Sequence, residues 1–246
     1  MKYSLLISVL LVLLMVSCDQ KDQSANQIIE KSMMAHGSQI MDNSSMQFSF
    51  RGIDYAVKRN NGSYQYRRTT YQKSDTVVDQ LNNDGFKRFI NGDQFSANDE
   101  KESRWTSSLN SVIYFAQLPY SLDGDAVYKE LLGSTSIDDE SYYEIKVTFD
   151  EDGGGEDHED VFIYWVNKGT YLIDYLAYSF CEEECGYRFR ESYNRRNLNG
   201  MIVQDYHNYK SRNLDPEIQD LAQLFEKNEL VKVSDIELER VEVIEN

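Results

Sequence analysis

The densest run of metal-type ligands in the chain lies between Asp150 and Asp160, where Asp150, Asp152, Glu156, Asp157 and His158 surround Gly153, Gly154 and Gly155. Hard cations such as calcium take several carboxylate or carbonyl oxygens from a flexible loop, and glycines let a chain wrap. The order of the acids does not follow the EF-hand rule. Weak calcium binding therefore stands beside a plainer reading, a solvated connection between two strands. A metal-dependent hydrolase built on residues 150–160 would need His158 and several of these carboxylates to converge in a pocket. Zinc fits less well, because His158 is the one nitrogen ligand of the run. Cys181 and Cys185 bracket three glutamates. Neighbouring carboxylates raise a thiol's pKa and discourage thiolate chemistry, so the pair reads as a disulfide or as two idle thiols, and not as a redox centre. Arg188, Arg190, Arg195 and Arg196 form the one basic stretch. Arg188 and Arg190 share a strand face, where they pair with Glu191 or acidic loops, or grip a ligand carboxylate or phosphate. His36 falls in the last turn of a helix with no acid or nucleophile near it in sequence, which suits a helix-terminal or packing role. No Gly-x-Ser-x-Gly elbow, phosphate loop or dinucleotide fingerprint is present. The sequence as a whole leans away from catalysis, and it calls for no cofactor.

These residues need elements to hold them. Asn26 to His36 has helical apolar spacing and stops at Gly37. From Met46 the period changes to two: Met46, Phe48 and Phe50 alternate with polar residues, then Tyr55 and Val57 follow Arg51-Gly52. Asn60-Asn61-Gly62 closes a hairpin onto Tyr64, Tyr66 and Arg68, and Asn83-Asp84-Gly85 closes another between Val77–Leu81 and Phe86–Ile90. Ser107 to Leu118 carries a broad apolar helical face and ends at Pro119. A short helical turn is expected from Ala126 to Leu132. Strands resume over Tyr142–Phe149, Val161–Val166, Tyr171–Phe180, Gly186–Tyr193 and Met201–Tyr209. A helix is expected from Pro216 to Glu226, then one last strand through Ile236, Leu238, Val241 and Val243 with a bulge where its phase slips.

The formal charge is −17. Such a balance argues against nucleic acid or an anionic lipid surface as a partner, since both would repel it. The N-terminus is a short positive start followed by an apolar run from Leu5 to Val16, the layout of a secretory signal and too short for a bilayer span. Leu14-Met15-Val16-Ser17-Cys18 resembles the lipobox of bacterial lipoproteins, with Met15 where leucine is usual. That resemblance implies a signal peptide over 1–17, a palmitate-type acyl anchor on Cys18, a tether over 18–25 and one folded domain over 26–246. It also implies a place in the bacterial cell envelope, facing the periplasm or on the outer membrane or surface.

Within the folded part, Trp165-Val166-Asn167-Lys168-Gly169-Thr170-Tyr171 resembles the strand–turn–strand passage of the LolA-like lipoprotein-carrier superfamily. Met34-Ala35-His36-Gly37, Phe50-Arg51-Gly52, Phe149-Asp150 to Glu159 and Phe189-Arg190-Glu191 resemble a narrower group of uncharacterised envelope lipoproteins. The resemblance implies a mainly antiparallel β protein with a few helices, a curved half-open barrel whose concave face the helices cover. It further implies a non-enzymatic role, binding a hydrophobic or acylated ligand such as a lipid. Eighteen tyrosines and eleven phenylalanines suit the wall of such a hollow, and equally suit a filled core. An envelope scaffold whose partner is another protein is the alternative.

Overall fold

A computed structural model describes residues 23–152, 158–181, 185–212 and 216–245. The chain begins with α1 (Ala25–His36) and a 3-10 turn (Ser38–Asn43). It continues through β1 (Ser44–Phe50), β2 (Ile53–Asn60), β3 (Ser63–Gln72), β4 (Asp75–Asn82), β5 (Gly85–Ile90) and β6 (Asp93–Phe95). After α2 (Asp99–Ala116) come β7 (Val127–Ile137), β8 (Glu140–Phe149), β9 (Phe162–Asn167), β10 (Ile173–Cys181), β11 (Cys185–Leu198) and β12 (Met201–Ser211). A 3-10 turn (Ile218–Asp220), α3 (Leu221–Glu226), β13 (Leu230–Ile236) and β14 (Glu239–Glu245) complete it.

The strands form two open, seven-stranded antiparallel sheets. The first has the order β14-β1-β2-β3-β4-β5-β6, and the second β13-β12-β11-β10-β9-β8-β7. This is the open, mainly antiparallel architecture with few helices that the sequence implies. Each sheet is a meander because almost every connection is a tight turn, such as the one at Asn61-Gly62, where both residues take positive φ. The chain crosses from the second sheet to the first over residues 237 and 238, and the Leu238 amide donates to the Asp205 carboxylate at 2.9 Å. The expected single C-terminal strand with a bulge is therefore two strands in different sheets. Its phase slip marks a change of sheet, with Arg240 at φ 51° just beyond it.

Three other expectations are corrected. Residues 126–132 form no helical turn: β7 pairs along β8 from Val127 to Ile137, and that ladder outweighs the weak local helical pattern. The C-terminal helix is split into the 3-10 turn and α3. α2 starts at Asp99, well before Ser107. Asn98 caps it by accepting from the Lys101 amide, and Asp99, Glu100 and Glu102 favour the positive end of the helix dipole.

The helices sit where they join the sheets. Ile28 and Ile29 of α1 pack on the second sheet with Ile145, Val166, Ile173 and Tyr206. Met41, on the following turn, packs on the first sheet with Met46 and Val57. α1 has a reciprocal Ser24/Gln27 capping box, and its last turn ends at Gly37 in the left-handed conformation, φ 72°. The second sheet is covered on both faces. Phe162, Tyr164 and Val166 of β9 face α1 and α2, while Ile163 and Trp165 face α3 with Phe189 and Ala222. All six residues of β9 are consequently buried, which is why that strand reads as a continuous apolar run. The β11–β12 hairpin reaches past its own sheet, placing Met201 and Val203 in the core of the first. Among the described residues no helix is long and apolar enough to cross a membrane.

Candidate functional site

α2 lies across both sheets, and each half is held differently. Near its N-terminal half, the buried Arg68 and Asp79 and the half-buried Arg88 meet between β3, β4 and β5. Asp79 accepts from Arg68 at 2.9 and 2.7 Å and from Arg88 at 2.6 and 2.9 Å. Arg68 also donates to Ser108 Oγ of the helix at 3.0 Å, and the Arg88 guanidinium lies 3.3 Å from the Trp105 ring centre. Arg68, Asp79 and Arg88 are in phase with the inward residues Tyr66, Leu81 and Phe86. A charge in an apolar phase is the sequence signal of this cluster, and hydrophobic period alone does not reveal it.

The C-terminal half is held by aromatic rings. Tyr114 and Tyr164 share a hydroxyl–hydroxyl bond of 2.7 Å, and burial raises both phenols well above their ordinary pKa. Phe115 sits 5.0 Å from Tyr178 and 6.0 Å from Phe162, centre to centre. Phe162 continues the row to Phe149 at 5.7 Å. This face of the second sheet, rich in large rings, is closed over by the helix.

Arg190 of β11 lies within this row. Its guanidinium carbon is 3.9 Å from the Phe115 ring centre and 4.9 Å from that of Tyr178, and Nη2 donates to the Tyr178 hydroxyl at 2.9 Å. The residue is 7 % exposed, and its buried Nε and Nη1 have no hydrogen-bond partner. Among the described residues, no carboxylate forms an ion pair with it. A buried guanidinium normally has such a partner, because leaving water is costly for an ion. Asn208, its register partner on β12, has a buried Oδ1 that is also without a hydrogen bond. The rest of the basic stretch is engaged. Arg195 pairs with Asp174, Arg196 with the buried Asp205, and Arg188 donates to the Tyr187 carbonyl. Glu191 does not serve Arg190. It accepts from the Tyr209 hydroxyl at 2.8 Å.

The other candidates fall elsewhere. Asp150 accepts from the Tyr128 hydroxyl at 2.6 Å and from the Asp152 amide at 3.1 Å. The Tyr128 bond is the main reason its carboxyl stays below the ordinary range. Glu156 and Asp157 lie outside the described residues. Among the described ones, no three His, Cys, Asp or Glu side chains gather as a metal cluster. Cys181 and Cys185 are register partners across the β10–β11 turn, with Cα atoms 4.0 Å apart and their sulfurs in contact. His36 is buried in the helix end, its Nδ1 donating to the Ser32 carbonyl at 2.9 Å. Cys18 is outside the described residues. Two open depressions, of about 520 and 450 Å³, lie on the outward face of the first sheet around Lys58, Gln65, Arg67 and Thr76. They lie on the first sheet, apart from the aromatic row of the second.

Fold and site together define a two-sheet antiparallel protein whose aromatic inner face is covered by a helix. The chain belongs to the DUF6503 family, a family of unknown function whose model matches residues 5–238. No curated protein matches it. Among solved structures it is similar to a LolA superfamily protein of Nitrosomonas europaea, at 14 % identity over 91 % of this chain and 92 % of that one, TM-score 0.44. It is also similar to a putative outer membrane lipoprotein-sorting protein domain of Vibrio parahaemolyticus, at 9 % identity over 81 % and 99 %, TM-score 0.40. A third similarity is to the Mycobacterium tuberculosis lipoprotein LppX, at 12 % identity over 63 % and 88 %, TM-score 0.29.

Proposed function

We propose that this chain is a non-enzymatic lipoprotein of the bacterial cell envelope, anchored through acylated Cys18, that binds a hydrophobic or acylated ligand between the second sheet and α2. The observation that carries the reading is the row Phe149, Phe162 and Tyr178 on the second sheet, met by Phe115 from the C-terminal half of α2. Aromatic rings give a large apolar contact area with few internal rotations to freeze. α2 is joined to that row by one hydroxyl pair and by ring contacts, so lifting this half of the helix exposes an apolar strip and breaks few polar bonds. Export fits the N-terminal pattern and a Cys181–Cys185 bond, which an oxidising compartment would keep.

The chain from Asp19 onward contains every described element, and its mass measured natively and after denaturation tests the reading. We expect a native excess of a few hundred daltons, on the order of one small lipid, that extracts into organic solvent. We also expect a denatured mass lighter by two hydrogens than the dithiol chain. A native mass equal to the bare chain, unchanged after incubation with envelope lipids, would falsify the binding reading and favour a scaffold whose partner is a protein.

A further inference from the structure

We propose that the site beneath α2 takes the anionic head, carboxylate or phosphate, of a single-chain amphiphile, and that Arg190 is the residue that binds it. The inference rests on the ligand-binding reading above and adds the chemistry of the ligand's polar end.

Three observations converge on one place. Arg190 is a buried cation whose Nε and Nη1 have no partner, while its neighbours Arg195 and Arg196 are both ion-paired. Asn208 Oδ1, on the register-paired residue of β12, is a second buried polar atom without a bond. Both belong to the strand face that carries Tyr178 and Tyr206, the wall against which an apolar chain would lie. Two unpartnered donors on a planar fork suit an oxygen anion, which a guanidinium binds with geometric selectivity. Asn208 Oδ1 suits a hydroxyl on the same head. Phe115 and Tyr178 pack against the guanidinium and Tyr178 accepts from Nη2, so Nε and Nη1 are the nitrogens left for this contact. A cation over an aromatic ring holds Phe115 moderately, so an arriving anion competes with a contact that yields. The charge is opposite to that of the protein as a whole, whose formal net charge is −17. An anionic head is thus recognised by one buried group and not by the surface field, which would repel it.

Matched probes test this on the chain from Asp19 onward: dodecanoate and 1-dodecanol, equal in chain and different in head charge, with inorganic phosphate as the headless anion. Affinities are read by native mass spectrometry and by shift in melting temperature. The expected result is dodecanoate bound on the order of tenfold or more tightly than 1-dodecanol. Arg190→Met should erase that preference and leave 1-dodecanol affinity in place, and Arg190→Lys should keep part of it. Because Arg190→Met removes a buried ion that has no ion-pair partner among the described residues, its melting temperature without ligand should not fall. If it fails to fold, the wild-type preference and the Arg190→Lys variant decide. Equal binding of both amphiphiles by the wild type, or a preference that survives in Arg190→Met, overturns the assignment and leaves the apolar site standing. Binding of neither amphiphile overturns the site and the assignment together. Phosphate alone bound as tightly as dodecanoate would make this a free-anion site and overturn the amphiphile.

Discussion

At the scale of single residues, the chain places charge inside in two contrasting ways. Asp79 is shared by two arginines, whereas Arg190 has rings around it and, among the described residues, no acid paired with it. His36 is a third case, a titratable group kept neutral. Burial is the main cause that lowers its pKa from 6.5 to about 4; the Ser32 carbonyl raises it, Arg195 lowers it and Asp174 raises it. The unfolded chain therefore takes up a proton on this ring before the folded chain does. The associated stability is fully present above pH 6.5 and is lost as pH falls toward 4, by about 3 kcal/mol for this single group. Urea midpoints measured from pH 7 to pH 4.5 should fall more steeply for wild type than for His36→Gln. Parallel curves would mean that the ring does not titrate as described. The sequence indicated a packing role for His36 from the lack of any partner nearby. It did not reveal that Arg190 is buried, because strand alternation gives the face of a residue and not what lies over that face.

Among the elements, the join between α1 and the β11–β12 hairpin is the tightest. A Cβ built on Gly37 would stand 2.0 Å from the Gly200 carbonyl oxygen, at a φ of 72°. Gly52 has nearly the same φ, 75°, with nothing within 4 Å. Gly37→Ala should therefore cost about 2–4 kcal/mol and Gly52→Ala about 1 kcal/mol, a contrast that isolates the close approach from the backbone term. Equal losses in denaturant titrations would refute the contact. The elements were largely legible, since hairpin turns such as Asn60-Asn61-Gly62 and Asn83-Asp84-Gly85 are local chemistry. The failures share one cause. β7 depends on its ladder with β8, and the break between β13 and β14 depends on which sheet each joins, so both are decided by distant partners. The lower half of α2 escaped notice because Asp99 to Thr106 is polar on most sides, and its one large anchor is Trp105 against Phe86 and Arg88.

For the molecule as a whole, α2 and the β11–β12 hairpin each contribute to the cores of both sheets. The two sheets should then unfold together. Trp105 reports the first sheet and Trp165 the second, so fluorescence of Trp165→Phe and of Trp105→Phe should melt at the same temperature as the backbone signal, after allowance for each variant's own shift. Separate transitions would make them independent units. Each open sheet has two edge strands, β14 and β6 in the first and β13 and β7 in the second, and two of these, β6 and β7, are badly shaped rims for pairing. The first rim is three residues long. The second has a register shift between Leu131 and Gly133, and Lys129 and Glu130 lie along it. Short, kinked and charged rims are poor templates for adding strands. If Cys18 holds many copies on one leaflet, they are crowded in two dimensions, where neighbours meet far more often than in solution. Under that crowding, rim shape and shared negative charge would keep the anchored molecules from knitting into a continuous sheet, and each would remain free to open its own helix.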